Sequence, residues 1–132
     1  MKYYSTRDHA ARYTLKQAAF MGLAPDGGLF MPERIPAVDK DRVLELSEGS
    51  FADLAEYIAG LFFGEDLSPQ QIRRIVEGAY RFPVPLRYIG DDKYTLELFH
   101  GPTFAFKDVG AGFMGRALGE LNEKDDDLGI LT

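Results

Sequence analysis

Apolar residues recur at helical spacing twice in the first eighty positions. Leu54, Ile58, Leu61 and Phe62 fall on one side of a helix predicted over Ser50 to Phe63, and Ile72, Ile75, Val76 and Ala79 do so in a helix opening at Ser68, because positions three and four apart share a face. Both stripes are expected to be core. Each segment opens on a Ser followed three residues later by Asp53 or Gln71, a pairing that ties down the first free amides of a helix, and Pro69 suits the first helical position. Thr14 and Gln17 give the same signal for a helix ending at Gly22, and a short helix is expected near Lys40 to Leu46. Two strands complete this half: Lys2 to Thr6, and Leu29 to Met31 after the tight turn Ala24-Pro25-Asp26-Gly27-Gly28.

The pattern changes at Arg81-Phe82-Pro83-Val84-Pro85, where two prolines stop the helix and force an extended path. A domain boundary is placed there, dividing residues 1–82 from 83–132. Leu86 to Ile89 and Tyr94 to Phe99 read as strands joined by Gly90-Asp91-Asp92-Lys93, which is hairpin chemistry. A helix then runs from about Thr103 to Asn122, the run Lys124 to Asp127 reads as a solvated loop, and Leu128 to Thr132 as the start of a buried strand. Strand, helix and apolar strand make a βαβ unit with nothing after it, so the fold class is α/β and the chain reads as a fragment, whose bare strand invites self-association.

Charge narrows the partners. Asp and Glu outnumber Lys and Arg by 21 to 15, for a net charge of -6, which disfavours nucleic acid and anionic membranes. With no Cys, and His9 and His100 far apart in sequence, disulfides and thiolate metal sites are excluded and no metal is expected. No stretch approaches the roughly 20 apolar residues that span a bilayer, and the cytoplasm is the default location.

One segment departs from ordinary surface composition, Glu97-Leu98-Phe99-His100-Gly101-Pro102-Thr103-Phe104-Ala105-Phe106-Lys107-Asp108. Lys107 would lie in the first turn of a helix after a Phe-Ala-Phe run expected to bury its stem. Burial and the positive end of the helix both favour a neutral amine, whereas Asp108 favours the charged one. A neutral amine is what attack on an aldehyde cofactor requires. Read without its neighbours, Lys107 is an ordinary solvated charge, His100 a turn residue, and Thr103 the helix N-cap. Gly112, Gly115 and Gly119 fall on one helix face, where bare backbone would admit another backbone or a planar ligand.

The stretch LELFHGPTFAFKDVGAGFMGR resembles the pyridoxal-phosphate (PLP) lysine segment of threonine synthases, and YYSTRDHAARYTLKQAAFMGLAPDGGLFMPE resembles their N-terminal signature. The resemblance implies an N-terminal α+β domain followed by the beginning of a type II PLP-dependent, tryptophan synthase β-like domain. It implies PLP as cofactor and Lys107 as the residue holding it, with Phe106 and Asp108 as the neighbours that position it; His100 and Thr103 belong to the same motif. The implied reaction converts O-phospho-L-homoserine and water to L-threonine and phosphate. The family's loops for the substrate carboxylate and the cofactor phosphate fall beyond Thr132, so activity is expected of a longer parent. The alternatives are another type II PLP lyase, such as a threonine-synthase-like phospho-lyase or a serine/threonine dehydratase, and a non-catalytic structural or dimerising module.

Overall fold

The computed structural model describes residues 1–122. The elements in chain order are β1 (Tyr3–Ser5), α1 (Leu15–Met21), β2 (Phe30–Pro32), α2 (Lys40–Ser47), α3 (Phe51–Phe63), α4 (Pro69–Ala79), β3 (Leu86–Gly90), β4 (Lys93–Leu96) and α5 (Lys107–Leu121). The expected acidic loop at Lys124 to Asp127 and the strand from Leu128 lie outside the described residues.

Local chemistry sets the helix starts. Thr14, Ser50 and Ser68 each cap their helix through the side chain, and Gln17, Asp53 and Gln71 return the bond to the cap backbone, as the spacing predicts. Asp39 caps α2 by accepting from the amides of Asp41 and Arg42. β1 pairs antiparallel with β2, Tyr4 opposite Met31, and β3 with β4, Tyr88 opposite Tyr94. The β3–β4 turn holds Asp91 and Asp92 at φ 50° and 55°, the left-handed pair that a two-residue hairpin needs and that Asp tolerates.

α4 is the centre of the core. Ile75 and Val76 are fully buried, joined by Ile72 on α4, Ala59 on α3, Leu67 before α4, Leu15 and Ala18 on α1, and Tyr3 on β1; α5 adds Phe113, Ala117 and Leu121 at the margin. Each fully buried aliphatic side chain contributes about 1.5–3 kcal/mol. The α4 stripe is therefore core as expected. The α3 stripe is not: Leu54, Ile58, Leu61 and Phe62 are half-exposed, and all but Leu61 line an open apolar groove of about 410 Å³ with Phe51, Tyr80 and Phe113. Only one side of α3 meets α4, and that side is completed by the small Ala59 rather than by the larger stripe. Among the described residues no helix is long and apolar enough to cross a membrane.

The Pro25 turn is fastened to β1 by Asp26, which accepts from the Ser5 hydroxyl at 2.7 Å and the Gly28 amide at 2.8 Å, while Gly27 takes φ 75°. The Ser5 bond foremost, then the Gly28 bond, holds the Asp26 carboxyl below its ordinary range. A carboxylate so lowered adds stability that is complete above its unfolded value near 3.9 and is lost as pH falls through the folded value. Asp26→Asn should therefore flatten part of the decline in urea midpoint below about pH 4; an unchanged acid limb would count against this fastening.

Candidate functional site

The segment singled out by sequence joins the hairpin to α5. From β4 the chain passes Glu97 and His100 and folds back on itself through a bond from the Phe104 amide to the Gly101 carbonyl, 3.1 Å. Phe104 takes φ 58°, a left-handed conformation that costs a bulky residue on the order of 1–3 kcal/mol and tends to mark functional loops. That turn delays the helix. α5 begins at Lys107 with Phe106 at the N-cap and no side-chain cap, so Thr103 is not the cap expected from the sequence. Asp108, in the first turn, reaches back instead: its carboxylate accepts from the Thr103 amide at 2.8 Å and the Thr103 hydroxyl at 2.7 Å. The clamp closes a loop around Lys107.

Gly101 makes the clamp possible. It is buried, and a Cβ there would stand 2.4 Å from Asp108 Oδ2 and 2.5 Å from Asp108 Cβ, a collision with the base of a short side chain. Gly101→Ala should cost about 1–3 kcal/mol through overpacking and a displaced clamp. Chemical denaturation would show it as a lower midpoint with an unchanged slope, and an Ala variant as stable as the parent would contradict the geometry.

His100 is tied into the same loop. Its Nε2 lies 2.8 Å from Glu97 Oε2, Glu97 lies 3.8 Å from Arg87 Nε, and the His100 ring rests against Phe99 with centroids 4.6 Å apart. The three-residue spacing of Glu97 and His100 was a signal available in the sequence.

Lys107 itself is exposed. Phe104 and Phe106 are 80% and 67% exposed, so the aromatic run does not bury the lysine stem as the sequence suggests; the left-handed turn at Phe104 interrupts the extended or helical path that such burial assumes. Among the described residues Lys107 makes no hydrogen bond or ion pair, and the neighbouring carboxylate of Asp108 is engaged by Thr103. Of the glycines expected to form one bare face, Gly112 lies against α4, where a Cβ would stand 3.5 Å from the Ala79 carbonyl oxygen, whereas a Cβ at Gly115 or Gly119 would meet open space.

Where the end of α4 faces this loop, a cleft of about 610 Å³ is lined by Arg81, Phe82, His100, Gly101, Asp108 and Arg116, among others. Neither arginine stands out in the sequence, since they lie thirty-five positions apart, and only the packing of α5 on α4 brings them to one cleft.

An aldehyde cofactor asks for a primary amine that can be reached and is not held by an acid; Lys107 is exposed, and among the described residues no acid holds it.

The family described as threonine synthase N terminus matches residues 2–80. The threonine synthase of Haemophilus influenzae is 37% identical over 132 residues, covering 100% of this chain and 30% of that protein. Among solved structures, threonine synthase from Escherichia coli superposes with TM-score 0.85 at 34% identity, over 92% of this chain and 28% of that one. The PLP-bound threonine synthase from Brucella melitensis does so with TM-score 0.82 at 33% identity, over 92% and 27%. The fold is thus the mixed helix-and-strand front portion of a PLP-dependent class of enzyme. The chain belongs to the threonine synthase family, whose N-terminal part it matches, and it spans about three tenths of the length of these relatives.

Proposed function

We propose that this chain is the front part of a cytoplasmic threonine synthase, a PLP-dependent carbon–oxygen lyase acting on a phosphate ester, that forms L-threonine and phosphate from O-phospho-L-homoserine and water. The observation that carries the reading is a Lys107 that is exposed and has no partner among the described residues, held in a clamped loop at the start of α5, in a chain of this family. In this reading residues 1–82 form the N-terminal domain and 83–132 open the cofactor-binding α/β domain.

Lys107 would hold the cofactor by its aldehyde carbon, and the bound cofactor supplies an electron sink that stabilises a carbanion at the substrate α carbon. With the cofactor bound, the Lys107 amine would be the group placed to take and return protons at the substrate α and β carbons. Asp108 would position the lysine through its clamp on Thr103, with the exposed Phe106 as its neighbour in the chain. Both act by fixing the loop rather than by touching the reacting atoms.

The longer enzyme should release phosphate from O-phospho-L-homoserine with stoichiometric threonine and act far more slowly on serine. Comparable turnover of serine without phosphate would favour a dehydratase instead.

A further inference from the structure

Between Glu97 and Asp108 the chain is closed on itself in succession by side chain, backbone and side chain again. Glu97 Oε2 accepts from His100 Nε2 at 2.8 Å, the Phe104 amide donates to the Gly101 carbonyl at 3.1 Å, and the Asp108 carboxylate accepts from the Thr103 amide and hydroxyl at 2.8 and 2.7 Å. Lys107 lies inside the last closure, at the first position of α5. In the first closure a carboxylate can only accept, so the imidazole carries its proton on Nε2. That proton is present in the matching neutral tautomer and in the charged ring alike, so the bond survives a change in the charge of His100.

Phe104 shows why the loop needs these closures. It sits among them at φ 58° and is 80% exposed. A strained backbone angle persists only where its surroundings over-determine it, and an exposed side chain returns nothing through burial. The strain is of the same order as one charge-assisted hydrogen bond such as that between Glu97 and His100, so loss of that bond is enough to let the turn relax. Glu97 is placed to hold it, because its amide donates to the Pro85 carbonyl at 3.0 Å and its side chain is 22% exposed. His100 in turn rests on Phe99 and precedes the buried Gly101, which packs against Asp108. Arg87 adds little, since its Nε stands 3.8 Å from Glu97 on an exposed side chain.

We propose that Glu97 is a positioning residue for Lys107: by holding His100 through Nε2 it keeps Phe104 in its left-handed turn and so fixes where α5, and the amine at its first residue, begins. The proposal rests on the reading that Lys107 holds the cofactor. It adds that the lysine is set in place from both sides, by Glu97 ahead of the turn as well as by Asp108 after it.

Amide hydrogen exchange and steady-state kinetics of the full-length enzyme test it together. Glu97→Ala and His100→Leu should each speed exchange of the Phe104 amide at least about tenfold and lower kcat by a similar factor, with KM for O-phospho-L-homoserine within about twofold. Either variant suffices if the other fails to fold, as melting temperatures would show. His100→Gln, whose amide nitrogen can take the place of Nε2, should recover most of both losses. Arg87→Ala should change either quantity by less than about threefold, and Arg42→Gln, which breaks an exposed ion pair on α2, should change neither. Unaltered Phe104 exchange in folded Glu97→Ala and His100→Leu, or a His100→Gln enzyme no better than His100→Leu, would overturn the proposal. Borohydride labelling separates the two readings: a pyridoxyl label away from Lys107 in the unaltered enzyme would overturn both, whereas a label on Lys107 with undiminished kcat in Glu97→Ala would overturn this one alone.

Discussion

Lys107→Ala in the full-length enzyme should lower turnover by at least about a thousandfold, roughly 4 kcal/mol of lost transition-state stabilisation. The expectation rests on chemistry that no neighbouring side chain can supply: the described part of the loop offers no second amine, and Asp108, the nearest ionisable group in sequence, is committed to Thr103. Lys40→Ala, on the exposed first turn of α2, should leave turnover within about twofold. Kinetics with O-phospho-L-homoserine would separate the two, and a Lys107→Ala enzyme retaining a tenth or more of its activity would remove Lys107 from the mechanism. Loss of turnover should come with retained stability, because an exposed side chain with no partner among the described residues contributes little to folding.

Ile75→Ala should have the largest effect on stability, about 2–5 kcal/mol. Ile75 is 0% exposed and sits where α4 meets its neighbours, so the truncation leaves a cavity that helices packed on several sides cannot all close. Ile75→Val, which removes a single methylene, should cost about 0.5–1.5 kcal/mol. Urea unfolding with a constant slope would measure both. Equal losses for Ala and Val, or a loss below about 1 kcal/mol for Ala, would show that α4 is not the keystone of the core.

Sequence reading succeeded where the cause is local. The three capping boxes, the proline at the start of α4 and the hairpin turn at Asp91-Asp92 are settled by residues within four positions of one another, and they appear where the spacing puts them. The α4 stripe was also legible, since its four members share one face and that face meets several neighbours. Long-range geometry was not. The α3 stripe has the same periodicity, but periodicity records only which side is apolar, and here that side borders an open groove.

At the site, the motif around Lys107 could be read while its conformation could not. Thr103 resembles a cap by residue type and position, yet the left-handed turn at Phe104 moves the helix start to Lys107 and converts Thr103 into a ligand of Asp108. The same turn leaves Phe104 and Phe106 in solvent, so an aromatic run that suggests burial leaves the lysine exposed. That Arg81 and Arg116 line one cleft depends on how α5 packs on α4 and had no sequence signal.

Borohydride reduction of the full-length holoenzyme followed by peptide mapping would show whether Lys107 is the residue that holds the cofactor. Reduction converts the reversible lysine–cofactor linkage to a stable one, so the pyridoxyl label should appear on the peptide containing Phe106-Lys107-Asp108. A label on any other lysine, or no label on a protein that carries PLP, would contradict the account.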